Sequence, residues 1–482
     1  MAMSDATAPT SPAQKPVSAY SWVVLLMLLV IYVFNFLDRQ LMSILQEPIK
    51  EELGLSDGEI GLMTGFFFAL FYTVFGVIVG FLADRTSRKR ILWAGCFLWS
   101  LFTALCGMAK NYPTMMVARM GVGVGEAAGA PPSYSIISDY FPEHRRGFAL
   151  AIFSLGVPIG MALGAAFGAK IHELWGWRSA FIGIGIAGVI ASFIMLFVVK
   201  EPKRGAQDMK VDPHMEEAPT QVLEEDDKAG FIPTILAFFS NRVLMFTALG
   251  AGFSAFAGYA ALHWNVSFLI RVKGIDYGQI AVFYSMLLAV CMGLGTLLSG
   301  GLVDWLSRRS KAWYGILPAV TLALCVPFHL LYIYAPTWQM ALVYLSVPTF
   351  LSIFYLAPAI AVVQNAAKPN QRTMAGALLL MVLNIIGLGG GPTFVGYLSD
   401  FFYHGIMTSG GLDPAALDLV DQAKLAAASD EIKAAHAAAT ADGLKRAMLW
   451  VTPFFIFASF FLVLEAIALG KADKKEKAEA AA

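Results

Sequence analysis

Three ionisable side chains, Asp38, Arg119 and Glu126, stand inside apolar stretches where charge is costly. Such a group costs about 2.5–3.5 kcal/mol on insertion scales, so it needs a partner or water and often marks a substrate or ion path. Asp38 lies eight residues before Gln46, near the end of the first apolar stretch, and Arg119 six residues after Pro113, near the start of the fourth. These two segments run in opposite directions. At 1.5 Å per residue the charges therefore sit within about 3 Å of one depth, and they pair if both helices face one cavity. Glu126 follows Arg119 by seven residues, which returns it to within about 20° of the same helix face, about 10 Å deeper. One cation facing two carboxylates leaves an excess carboxylate that can take up a proton. The plainer reading of Asp38–Arg119 is an ion pair that only fixes helix register. Arg39 is expected to snorkel to the outer interface.

The elements that must position these groups are membrane helices. Apolar residues make up 58% of the 482 and charged residues 14%, with mean hydropathy +0.66. That much apolar surface needs lipid as part of its solvent. A hydrocarbon core of about 30 Å takes about 20 helical residues, and on that measure spans fall near 20–46, 60–83, 90–109, 113–138, 146–169, 178–199, 240–270, 277–303, 312–335, 338–363, 373–399 and 446–470. Backbone polar groups must be satisfied internally in lipid, so all twelve are read as helices. Residues 1–19 read as a polar tail without a cleavable signal, 20–199 as one six-helix bundle and 200–235 as an acidic linker carrying Glu216, Glu217 and Glu224. Residues 236–470 read as a second six-helix bundle, with an Ala-rich extracytoplasmic insertion at 402–445 beginning near Asp413, and 471–482 as a tail. Arg85, Arg88, Lys89, Arg90, Arg145, Arg146, Lys368 and Arg372 follow even-numbered spans, which places both termini in the cytoplasm and the chain in the plasma or inner membrane. The four cysteines fall within apolar stretches and read as packing residues, with no metal or cofactor motif beside them. A net charge of zero gives no sign of nucleic acid.

The halves echo each other. Gly80 and Asp84 recur at Gly300 and Asp304, an offset of 220, while Pro131, Pro142, Arg145 and Gly160 recur at Pro358, Pro369, Arg372 and Gly387, an offset of 227. Duplicated membrane units of this kind are typical of secondary transporters. The Gly80–Arg90 run resembles the signature between the second and third helices of the major facilitator superfamily, except that Ser87 stands where glycine is common. Asn35-Phe-Leu-Asp38-Arg39, the run from Arg119 to Ala127, Pro142 and Arg145-Arg146 are most similar to the Spinster family. The resemblance implies an all-α membrane protein of two pseudo-symmetric six-helix bundles around one cavity that the first and fourth helices share. It also implies a cytoplasmic latch that includes Asp84 and Arg88. Asp139, near the cytoplasmic end of the fourth span, is placed to join it. The family's cargo implies movement of amphiphilic lipids such as lysophospholipids or sphingoid phosphates, without settling substrate or direction.

Spans 7, 8, 10 and 11 carry no Asp, Glu, Lys or Arg in their interiors; they offer Trp264, Tyr355 and His263 among many apolar residues. A charged wall facing an apolar wall suits a molecule with a charged head and a greasy tail. The expectation is a monomeric, proton-linked carrier in which Arg119 binds an anionic head, Asp38 and Glu126 carry the proton and also line the substrate site, and Trp264 and Tyr355 meet the substrate. The rival within transport is a proton-coupled carrier of small organic anions or drugs. An enzyme is disfavoured because no metal motif, nucleophile elbow or His–carboxylate cluster is visible.

Overall fold

The computed structural model describes residues 17–204, 231–366, 372–412 and 422–481. The linker acids Glu216, Glu217 and Glu224, the insertion start at Asp413 and Lys368 lie outside the described residues, as do the side chains of Asp84 and Arg372.

The first helix, α1 (Ala19–Leu53), starts where Ser18 accepts a hydrogen bond from Ser21 N–H. It runs past the expected end near residue 46, carrying Pro48 within it, and stops at Gly54, whose φ of 62° is the left-handed closure glycine favours. Ser56 and Glu59 then form a reciprocal capping box that opens α2 (Asp57–Ala83). After α3 (Arg88–Cys106) comes α4, in two legs, Tyr112–Glu126 and Ala130–Tyr140. Pro131 and Pro132 occupy the first turn of the second leg. Proline has no N–H to return to the preceding turn, so the break falls directly after Glu126.

The run His144–Val198 turns at Gly176, where φ is 81°, and so crosses twice, as α5 before the turn and α6 after it. The second half repeats the plan with α7 (Arg242–Lys273), α8 (Tyr277–Ser307), α9 (Trp313–Tyr334), α10 (Trp338–Ala366) and α11 (Met374–Ser409). It ends with α12 (Asp430–Leu449) and α13 (Thr452–Ala481). Among the described residues, ten stretches are long and apolar enough to cross a membrane; the turn at Gly176 splits one of them and the two-legged α4 adds another, which gives twelve crossings.

Small residues set how closely these helices approach. A Cβ on Gly160 would meet the Val33 carbonyl at 2.5 Å, and one on Gly164 would meet the Leu37 carbonyl at 2.7 Å, so α5 lies backbone to backbone against α1. Gly125 does the same for α4 against α3, where a Cβ would stand 2.5 Å from Trp99 N. The glycine run of the fourth span is therefore a packing face. Within the region expected as an insertion, residues 402–409 continue α11, and α12 folds back on it with Ala439, Gly443, Leu444, Ala447 and Met448 buried. Tyr403 and His436 share a hydrogen bond of 2.9 Å across that contact.

Candidate functional site: a central charged cavity

A cavity of about 50 Å³ lies between the halves, lined by Arg39, Gln40, Ser43, Thr64, Phe68, Arg119, Tyr259, Leu262, His263 and Leu388 among others. That is well below the about 300–1,000 Å³ typical of small-molecule sites. Asp38, Arg119 and Glu126 are each buried at 1–2% exposure, as their common face on α1 and α4 requires.

Their pairing differs from the sequence expectation. Asp38 accepts a hydrogen bond from Thr103 Oγ1 of α3 and makes no ion pair with Arg119; its Oδ1 has no partner among the described residues. Arg119 holds its guanidinium carbon 5.1 Å from the Phe68 ring centre, with Nε and Nη1 likewise unpartnered. Arg39 corrects the expectation that it snorkels. It turns inward, donates from Nε to Glu126 Oε2 at 2.5 Å, and lies 4.8 Å from the Tyr72 ring centre and 5.0 Å from that of Phe36. The reason is local: the break after Glu126 presents its carboxylate beside α1, and the paired guanidinium is sheltered by aromatic faces. Both cations line the cavity, whereas Asp38 and Glu126 are buried but not among its lining residues, and Glu126 is the carboxylate that is paired. Nothing in the composition separated Arg39 from a snorkelling arginine.

Other residues met expectations unevenly. His263 lines the cavity and spans the halves, with Nε2 2.9 Å from Thr64 Oγ1 and Nδ1 3.5 Å from Ser43 Oγ. Trp264 is fully buried and donates to the Pro392 carbonyl at 2.9 Å, so it braces α7 on α11. Tyr355 packs beside the apolar cluster of Leu378, Leu379 and Val382. Neither is among the cavity-lining residues. The wall from the second half is mixed, with Tyr259 and His263 beside Leu262 and Leu388, which corrects the expectation of an apolar wall.

At the end of the molecule where α1 finishes, the two halves are joined by charge. Arg271 of α7 reaches Glu47 at 2.6 Å and Asp57 at 2.7 Å, and Lys50 reaches Asp57 at 2.6 Å. Ser399 donates to Asp57 at 2.7 Å, and Asp400 accepts from the backbone N–H of Gly58 at 2.7 Å, capping α2 from the opposite half. No pattern along the chain pointed to this network beyond the capping box at Ser56, because its members sit in segments far apart in sequence. At the linker end, Arg88 bonds Asp139 at 2.5 Å and Glu201 at 3.0 Å. Glu201 also accepts from Ser87 Oγ at 2.6 Å and Lys89 N–H at 2.8 Å. Arg88 and Asp139 are thus brought together as expected, but with each other and with the start of the linker. Among the described residues no hydrogen bond or ion pair carries Arg88 to the second half.

The family model for the Major Facilitator Superfamily matches residues 28–405. A crystal structure of a bacterial homologue of the human lysosomal transporter Spinster, inward-facing and unoccupied, is similar with TM-score 0.82 and 30% identity, covering 95% of this chain and 99% of that one. An efflux pump of the superfamily type from Mycolicibacterium smegmatis is 31% identical, covering 79% of this chain and 85% of the pump. A sphingosine-1-phosphate transporter of Xenopus tropicalis is 26% identical, covering 81% of this chain and 77% of that protein. The all-helical fold, the duplicated halves and these matches make the chain a membrane transporter, not an enzyme: it belongs to the Major Facilitator Superfamily and resembles its Spinster members.

Proposed function

We propose that this transporter moves an amphiphilic anion, of the lysophospholipid or sphingoid-phosphate kind, by proton-linked alternating access. One observation carries the reading: the buried Arg119 guanidinium lines the cavity with Nε and Nη1 unpaired, while Asp38 and Glu126 stand near it. An unpaired buried cation of this kind is a seat for an anion. A carboxylate released from a cation by the incoming anion gains a reason to hold a proton. Glu126, now shared with Arg39, and Asp38, with one free oxygen, are the two proton carriers. Both termini lie in the cytoplasm on this reading, so the joined end faces outward and the state is closed to the outside. The likeness to an inward-facing homologue supports that choice. The protein works as a monomer in the cell membrane, with protons and lipid as its partners.

The rival, a proton-coupled carrier of small organic anions or drugs, draws on Tyr259 and His263 in the facing wall and on the efflux-pump relative. A chain-length series with one anionic head group separates them in purified protein. Each buried methylene contributes about 0.8 kcal/mol, so affinity should rise about fourfold per carbon until the cavity is filled. Leu262→Asn on the facing wall should weaken long chains more than short ones. A flat series, or tight binding of an anion without a tail, supports the rival.

A further inference from the structure

We propose that Glu465, in the last helix, is a second proton-binding site, separate from the cavity, that exchanges its proton with the linker side of the molecule. The proposal does not depend on the reading of Arg119. Glu465 stands between Leu464 and Ala466 in α13, inside an apolar run from Phe460 to Leu469, and is 0% exposed. Neither carboxyl oxygen has a hydrogen-bond or ion-pair partner among the described residues. Glu126, by contrast, has Arg39. An ionised carboxylate buried without a partner is so costly that such a group takes up a proton and becomes a neutral acid.

The helices α7 and α9 both pack on α13 and enclose this acid. α13 runs antiparallel to α7, with Phe461 stacked on Phe253 at 5.7 Å and Phe454 on Phe256 at 4.0 Å between ring centres. A Cβ on Gly250 would lie 2.7 Å from Leu462 Cγ. One turn on along α13 and one turn back along α7, Glu465 is therefore level with Thr247. Thr247 is buried too, and its hydroxyl donates to the Val243 carbonyl at 2.8 Å, which leaves it lone pairs to offer. Those suit the O–H of a neutral acid, and one hydroxyl, even turned round, does not offset a buried charge. On the other side a Cβ on Gly315 of α9 would lie 2.6 Å from the Leu462 carbonyl and 2.7 Å from Ala466 N, so the turn that carries Glu465 is closed. The charged and titratable groups nearest this level lie elsewhere. Arg242 at the start of α7 and Lys311 just before α9 are exposed, and Tyr314 of α9 packs with Val303 and Leu306 of α8. Further along α13, Lys471 is exposed and Asp473 accepts from Ser310 Oγ at 3.2 Å. A metal cation needs several oxygens around it, and the neighbouring Leu462 and Ala466 offer apolar side chains. Thr247 is five residues into α7, about 8 Å from its linker end, whereas Tyr259 of the cavity is twelve residues further on, about 18 Å away. The short way out for the proton is to the linker side.

The test uses the full chain in proteoliposomes of one orientation and the apolar reagent dicyclohexylcarbodiimide, which adds to a protonated carboxyl and not to a carboxylate. Peptide mass spectrometry should find Glu465 labelled. The labelling should fall about tenfold per pH unit once the linker-side pH passes the point where the acid ionises, and should not respond to pH on the joined side. Glu465→Gln, a neutral isostere, should fold and lose from the infrared spectrum one carbonyl band of a protonated carboxyl. A proton held by the folded state and not by the unfolded one makes stability fall as pH rises. The thermal unfolding midpoint of the wild type should therefore drop progressively below that of Glu465→Gln from acid to alkaline pH. The labelling needs no variant, so it carries the test if Glu465→Gln does not fold. An infrared band that persists in Glu465→Gln, or a gap between midpoints that stays constant with pH, overturns the protonated state. Labelling that follows the joined-side pH, or is absent at every pH, overturns exchange with the linker side.

Discussion

The two ends of this molecule hold charge in opposite ways. Where α1 finishes, Arg271 of the second half is gripped by Glu47 and Asp57 of the first, and Asp400 of the second caps α2 of the first. At the linker end, Arg88, Asp139 and Glu201 bind one another within the first half and the start of its linker. On the proposed alternating-access reading the first network is a gate, since it must break for the halves to part, and the second, whose Arg88 bonds stay within the first half and the start of the linker, is a brace. Coupling free energy between two states must come from contacts that differ between them. The first network, which joins the two halves, meets that condition.

Arg271→Ala attacks the gate and should have the largest effect. It leaves Glu47 and Asp57 buried without their main cation, and breaking a buried pair costs about 3–5 kcal/mol. The joined end should open, which spin-label distances across the tips of α1 and α7 would read as a shift to longer values. Unchanged distances would reduce the network to packing. Arg88→Ala attacks the brace. It leaves the Asp139 carboxylate buried without its guanidinium and should lower stability by about 2–4 kcal/mol, read as a fall in the thermal unfolding midpoint. The distances between halves at the joined end should stay as they are. A change there as large as that of Arg271→Ala would erase the distinction.

The cavity lies between the two, and Glu126→Gln asks whether it is coupled to either. The variant should remain folded and lose the dependence of flux on a pH gradient in proteoliposomes, while Arg39, freed from its 2.5 Å pair, still faces the cavity. Full proton-driven flux in the variant would make Glu126 structural. The smallest expected effect is the pH response of the brace. Burial alone would raise the Glu201 carboxyl, but hydrogen bonds from Ser87, Lys89 N–H and Arg88 outweigh it and hold the group below its ordinary value. A depressed carboxyl contributes stability that is present above its unfolded value, near 4.5, and is lost as pH falls through the folded one. Glu201 is partly exposed, so the effect is modest. The thermal unfolding midpoint of Glu201→Gln should therefore lie modestly below that of the wild type at neutral pH and fall less steeply below about pH 4.5, so that the two converge in acid.

Chain-local physics made much of this legible in advance. Length and apolarity of each stretch are enough to say where the spans run, while the caps at Ser18 and Ser56 and the break before Pro131-Pro132 emerged in the structure. The seven-residue step from Arg119 to Glu126 is enough to place both on one buried face, because helix geometry is set by the backbone alone. The sequence thus expects Asp38, Arg119 and Glu126 in the interior, and all three are buried.

What the sequence by itself determined about this protein is its set of crossing helices and the charges they cannot avoid burying. Which charges meet was decided only when helices distant in the chain came together. Arg39 and Arg119 carry the same group on neighbouring helices, and the sequence assigned the carboxylates to Arg119. The break after Glu126 and the rings of Phe36 and Tyr72 gave one of them to Arg39 instead. Arg271 likewise meets Glu47 and Asp57 only in the folded chain, more than 200 residues away along the sequence. Ion pairing depends on distances of a few ångströms and on shared burial, and a linear pattern specifies neither between separate helices.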